Sequence, residues 1–239
     1  MAHRHISGKI GYVHDPAGAR REFGRETWSM TWHEDGQRTL RAVCEIEPGP
    51  VAPRHVRRDT TVSLDADWMP LDCYTRLHRD GKFLGGGWFR FAEGLAEAEI
   101  DTAELGRVSQ RWPIKGRVPS FGAHNVTCDV LHCCHVLKSG QKIVRPDNVF
   151  LTTLEHDGCG GPTLSPLKFG IEYLGRERIT VPAGAFDADH YQFLLDGPMP
   201  KEHPTEHVWC LPETFIFVKI TVGGYMNASF ELTELHEGF

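Results

Sequence analysis

Alternation of apolar and polar residues at a period of two is the feature that most narrows what this chain can become. In Arg25–Glu47, RETWSMTWHEDGQRTLRAVCEIE, the residues Glu26, Trp28, Met30 and Trp32 share one face, EDGQ supplies a turn, and Leu40, Ala42, Cys44 and Ile46 form the returning apolar face. Successive strand side chains point to opposite faces, so this pattern predicts a β-hairpin. Val56–Leu64, Leu71–His78 and Phe83–Phe91 continue it as three β-rich runs separated by the turn-like DADWMP and RDG. The glycines Gly85–Gly87 predict a bulge or sharp bend, where side chains would crowd a curving sheet.

Ala92–Val118 is less regular. The segment His124–Gly140, HNVTCDVLHCCHVLKSG, predicts the one helix: Asn125 as cap, an apolar stripe of Val126, Val130, Leu131, Cys134 and Leu137, and Ser139 with Gly140 as the stop. Asn148–Glu155, Leu167–Thr180, Phe186–Leu195 and His207–Thr221 read as further strands, and Tyr225–Leu235 as the last. Strand follows strand across hairpin-length loops. The expected architecture is a mainly β single domain over residues 1–239, a curved antiparallel sheet or partly closed barrel with one covering helix. Two half-sheets joined near the helix are the alternative. Tyr225–Leu235, taken as a sheet edge, is where a second copy would pair to form a homodimer.

With 40% hydrophobic and 24% charged residues, 239 residues can bury a core without disulfides or metals. The seven cysteines are an odd number, and Cys133–Cys134 is not a CxxC pair, so buried thiols in a reducing compartment are expected. The net charge of -6 is made of interspersed charges with no basic run, which argues against nucleic acid as a partner. Met1–Ile10 lacks the apolar stretch of a secretory signal, and no segment approaches the ~18 to 20 apolar residues of a membrane span, so a cytoplasmic location without membrane partners is expected. No GxSxG, Walker loop or dinucleotide fingerprint is present, and the glycine-rich His156–Pro162 follows no βα unit. No cofactor is expected.

Residues that break the alternation carry the functional information. Arg58 shares a face with Val56, Thr60, Val62 and Leu64. An inward guanidinium needs an anion, either Glu26 in line with Trp28 or a ligand; the bland alternative is a strand-end arginine that reaches water. Arg90, beside aromatic neighbours in WFRF, and Lys219, near Phe215 and Phe217, either line a cavity for an aromatic or carboxylated ligand or sit solvated at a sheet edge. His190, on a face with Phe186 and Ala188, is a candidate acid or base or else a satisfied core histidine, with Tyr191 beside it. His124, just before the helix, would be kept neutral by the helix dipole and so competent as a base. Along the helix, Cys128, Asp129, His132 and His135 stand at spacings that can build a metal site, but no second motif completes one, and a polar outer face with buried cysteines is the simpler reading.

Val181–Phe193, VPAGAFDADHYQF, resembles a bacterial family of uncharacterised β-rich proteins in which a strand, a VPAG turn and an aromatic-ended strand recur near the C-terminus. Arg57–Leu77 looks like the matching meander, and with Phe230–Leu235 the likeness spans most of the chain. The resemblance implies a lipoprotein-carrier-like curved sheet with a hydrophobic concavity. The chain also looks similar to proteins of lignin-dimer catabolism in sphingomonad-type bacteria, which implies a cofactor-independent lyase removing formaldehyde or carbon dioxide from a phenolic side chain.

Two functions follow as expectations. In the lyase, His124 or His190 deprotonates a hydroxyl, Arg58 with Arg90 holds a carboxylate or phenolate, Tyr74 or Tyr191 donates a proton or positions the substrate, and Glu26, Trp28 and Lys219 complete the pocket of a small aromatic substrate. The alternative is a non-catalytic binding protein for a lipophilic or aromatic acid that uses the same arginine without a base. A packed concavity filled by Trp28, Trp32 and Trp88 would instead favour a supporting subunit.

Overall fold

The computed structural model describes residues 3–15, 18–49, 51–195 and 203–238. Eight antiparallel strands open the chain: β1 (Arg4–His14), β2 (Arg21–Trp32), β3 (Arg38–Ile46), β4 (Val56–Leu64), β5 (Pro70–Arg79), β6 (Lys82–Ala92), β7 (Leu95–Thr102) and β8 (Gly106–Pro113). A short β9 (Phe121–Gly122) leads into the helical segment, made of α1 (Val126–Asp129), a 3-10 turn (Val130–Cys133) and α2 (Cys134–Ser139). Then follow β10 (Ile143–Val144), β11 (Val149–Leu151), β12 (Ser165–Leu167), β13 (Phe169–Val181), β14 (Gly184–Leu195), β15 (Glu206–Cys210), β16 (Phe217–Val222) and β17 (Ala228–Gly238).

One curved antiparallel sheet holds 14 of the described strands in the order β10-β13-β14-β15-β16-β17-β1-β2-β3-β4-β5-β6-β7-β8, and it does not close into a barrel because β8 and β10 are not paired with each other. The expected mainly β architecture and covering helical segment are therefore present. There is no division into half-sheets at the helix: the N-terminal β1 pairs with both β2 and β17 and makes the sheet continuous. Strand β17 is thus interior, paired with β16 and β1, and offers no edge to a second copy. A small sheet in the order β12-β11-β9 lies apart from the main one, with Phe121 of β9 packed 5.1 Å from Phe89 and 4.9 Å from Phe91.

The hairpin of β2 and β3 forms as its alternation dictates. Glu26 and Trp28 pair with Cys44 and Ala42 in register, and Leu40, Ala42, Cys44 and Ile46 are all buried. Gly85–Gly87 lies beside a register shift at Leu77/His78 in the β5–β6 pair. A Cβ at Gly85 would stand 2.6 Å from Pro162, and one at Gly87 2.9 Å from Ile100, so the glycines admit neighbours against the strand. The VPAG segment is the β13–β14 turn, with Val181 opposite Gly184.

Four expectations need correction. The helix is broken into three short pieces, consistent with a sequence of β-branched residues, cysteines and histidines that are all indifferent helix formers. The irregular stretch Ala92–Val118 contains the β7–β8 hairpin, whose outer strand is largely exposed and so lacks an apolar stripe. The single strand expected over His207–Thr221 is two, β15 and β16, joined through Leu211–Ile216 with Glu213 and Phe215 at positive φ. Finally, Asn125 precedes α1 but makes no side-chain cap; its Oδ1 accepts a hydrogen bond from Thr60 at 2.6 Å. All seven cysteines are buried free thiols. Among the described residues no helix is long and apolar enough to cross a membrane.

Candidate functional site

The start of the helical segment is held by two charged side chains from the concave face. Glu26 on β2, fully buried, takes the place of the missing cap: it accepts hydrogen bonds from the backbone N–H of Val126 (3.1 Å) and Thr127 (3.3 Å), from the Thr127 hydroxyl, and from the Tyr12 hydroxyl at 2.6 Å. Burial raises the Glu26 pKa against the pull of these donors. Arg58 on β4 is buried as its alternation requires, yet it does not pair with Glu26. Cys44 stands between them in the register row Glu26–Cys44–Arg58, and two strand spacings of about 4.8 Å each separate the two backbones. The Arg58 guanidinium instead donates to the carbonyls of His124 (2.6 Å) and Gly158 (2.7 Å).

His124 is consequently fixed in an uncommon state. Its backbone lies in the left-handed region at φ 58, its carbonyl is held by Arg58, and its Nε2 lies 2.8 Å from the carbonyl of Thr153. A carbonyl only accepts, so Nε2 carries the proton and Nδ1 presents its lone pair. Burial first, and the neighbouring Arg58 charge second, lower its pKa to about 4.

Below this clamp lies a cavity of about 130 Å³. Phe23, Phe169, Phe193, Leu195, Ile220 and Phe230 supply apolar wall, while His124, Asp129, His132, Glu155, His156, Asp157, His203 and Glu206 also line it. Among the described residues no lysine or arginine does. His132 is buried edge-on to the rings of Phe169 and Phe193, at 5.0 and 5.8 Å, and its Nδ1 is engaged by the Ser120 hydroxyl. Burial lowers its pKa to about 3, so it is neutral. Asp129, at the end of α1, and Glu206, at the start of β15, both have their pKa raised by burial, and each disfavours the charge of its neighbours: Glu26 acts on Asp129, and Asp129 on Glu206. Neither carboxyl receives a hydrogen bond among the described residues; His203 Nε2 lies 3.8 Å from Glu206, and burial lowers the His203 pKa. His203 also meets the His156 ring at 4.6 Å, and His156 Nδ1 lies 2.5 Å from the Tyr225 hydroxyl.

Of the residues singled out from the sequence, Glu26, Arg58 and His124 are brought together, and His124 lines the cavity. Asp129 and His132, singled out as possible metal ligands, line it too; the remaining candidates are not gathered there. His190 stands on the opposite face of β14 from Phe193 and Leu195, stacked on Trp209 at 4.2 Å and bonded to His207 and Glu177 at 2.9 and 3.0 Å. Tyr191 is buried in the core, Tyr74 is exposed opposite Trp88, and Trp28 is buried with its Nε1 unpartnered among the described residues. Arg90 pairs with Glu97 at 2.9 Å, and Lys219 with Glu231 at 3.5 Å. Among the described residues no group of three histidines, cysteines or carboxylates is placed to hold a metal. Sequence reasoning missed Glu206, although it alternates with the buried Val208 and Cys210 as Arg58 does with its neighbours; beginning the strand at His207 hid it.

No family model matches the chain, and no curated protein sequence matches it. Among solved structures it is similar to a β-barrel-like protein of a domain of unknown function, DUF1849, from Brucella abortus, with a TM-score of 0.60 and 12% identity over 99% of this chain and 98% of that one. A protein with a YmcC-like fold from Bacteroides fragilis aligns over 97% of this chain and 95% of its own at 9% identity and a TM-score of 0.35. At such identity the likeness bears on architecture, and the chain shares the β-barrel-like fold of the Brucella protein from end to end.

Proposed function

We propose that this chain binds a small, largely apolar molecule in the cavity between the helical segment and the concave face of the sheet. The observation that carries the reading is the cavity itself: about 130 Å³, walled by phenylalanine and aliphatic side chains, with carboxyls that no donor among the described residues satisfies. An apolar cavity of ~150 Å³ holds benzene, so one aromatic ring or a short branched chain fits. Arg58, the anchor expected for a carboxylate, is committed to two carbonyls. The polar end of the ligand therefore meets Asp129 and Glu206 rather than a guanidinium.

One observation favours a second reading, the cofactor-independent lyase on a lignin-derived phenolic substrate. His124 lines the cavity with its Nδ1 unprotonated and its backbone left-handed, and backbone held in sparsely populated regions clusters at active sites. In that reading His124 is the base and Asp129, protonated up to higher pH than an ordinary aspartate, is the acid. The likeness of the VPAG segment to β-rich bacterial proteins is compatible with either function.

Calorimetry and mass spectrometry on one panel of cavity-sized aromatic compounds and lignin-derived phenols test both. Saturable binding without product supports the binding protein. Release of formaldehyde or carbon dioxide establishes the lyase, and the absence of both binding and product up to about 10 mM, the limit of weak specific affinity, overturns the two together.

A further inference from the structure

The geometry points to a ligand whose polar end is a cation, a small aromatic or branched-alkyl amine seated with its ammonium between Asp129 and Glu206; this rests on the reading of the cavity as a binding site. Among the described residues the lining contains four carboxylic side chains, Asp129, Glu155, Asp157 and Glu206, and neither lysine nor arginine. Glu206 is only 9% exposed and Asp129 is half-buried, yet no described residue donates a hydrogen bond to either. Buried carboxyls are ordinarily hydrogen-bonded, and this fold can supply such bonds, since Glu26 receives four. The two left without donors line the cavity, where a ligand can provide them.

The remaining polar neighbours do not compete for that role. His132 is held by Ser120, His124 by Thr153, and His203 Nδ1 donates to the Pro204 carbonyl at 2.7 Å, leaving its Nε2 3.8 Å from Glu206. An ammonium has three donors and no acceptor, which matches two acceptor carboxylates. A carboxylate or phosphate would find no lysine or arginine among the described lining residues to pair with. The walls of Phe169 and Phe193 suit an apolar body, and aromatic faces nearby favour a cation further. Without ligand, burial and mutual repulsion keep protons on the carboxyl pair; seating an ammonium between them drives a proton off. Binding is thus expected to release protons and to strengthen as pH rises towards the ordinary amine pKa.

The test is calorimetric titration of the intact chain with three probes of one size: benzylamine, benzyl alcohol and benzoate, each in two buffers of different ionisation enthalpy. Benzylamine should bind at least about tenfold more tightly than benzyl alcohol, with net proton release, and benzoate most weakly. In Glu206→Gln and Asp129→Asn the preference for the amine should shrink to within about threefold while benzyl alcohol binds as before. If the alcohol or the benzoate binds as tightly as the amine in the wild-type chain, the cation is wrong and the cavity reading survives. If none of the three binds up to about 10 mM, both fall. The wild-type comparison stands even where a variant fails to fold.

Discussion

Glu26 and Arg58 grip one stretch of backbone by its opposite polarities: the carboxylate takes the N–H groups of Val126 and Thr127, and the guanidinium takes the carbonyl of His124. Neither charge needs the other, because peptide dipoles satisfy both. Breaking one grip should therefore be a stability defect. Arg58→Met leaves two buried carbonyls without donors and is expected to cost about 3 kcal/mol in the denaturant midpoint, whether or not ligand is present. An unchanged midpoint with weakened ligand binding would return Arg58 to the role of anion anchor.

The second hand of that grip depends on Gly158. It sits at φ +66, and a Cβ there would stand 2.2 Å from Arg58 Nη2 and 2.8 Å from the His124 side chain. Gly116, at φ +77, has nothing within 4 Å of its would-be Cβ. Gly116→Ala should thus cost only the backbone strain, about 1 kcal/mol, and Gly158→Ala about 2 to 4 kcal/mol because Arg58 must also move. Thermal melts of the two variants side by side check the difference, and equal shifts would show that the Arg58 contact adds nothing.

Acidification should destabilise the chain earlier than an ordinary β protein. His124, His132 and His135 are held neutral to about 4, 3 and 4. A histidine with a depressed folded pKa stabilises fully above its unfolded pKa of ~6.5 and progressively less as pH falls towards the folded value. Asp129 and Glu206 act oppositely: their raised pKa favours the fold at low pH and ceases to do so as pH rises through the folded value. Between about pH 4.5 and 6 the three imidazoles take up protons only on unfolding, so stability should fall on acidification through this window. Asp129→Asn removes one opposing contribution and should steepen the slope, which urea titrations at several pH values would reveal.

Filling the cavity separates binding from folding. Ala52 lines it and is buried, so Ala52→Leu should place apolar volume where a ligand would lie. Binding of benzyl alcohol should weaken at least about tenfold while the melting temperature holds or rises, as cavity-filling substitutions commonly achieve. Retained binding would locate the ligand elsewhere.

The alternation of residues was enough to put Arg58, Glu26, Trp28 and Cys44 on the inner face, since a period of two leaves a strand only two faces and the apolar one must be buried. It also marked Gly85–Gly87 as a place of crowding. The same reasoning was silent on the exposed β8, which has no apolar face to display, and it overread the helical segment, whose stripe is real but whose residues do not sustain one helix. Which inward residues meet was decided by register and by strand order. Cys44 stands between Glu26 and Arg58, the face of β14 that carries His190 turns away from the cavity, and Asp129 and Glu206 line one cavity from α1 and β15. Periodicity is local and selects a face; the partners across that face are set by hydrogen-bonded neighbours many residues away, so the carboxyl pair became visible only once the sheet had curled.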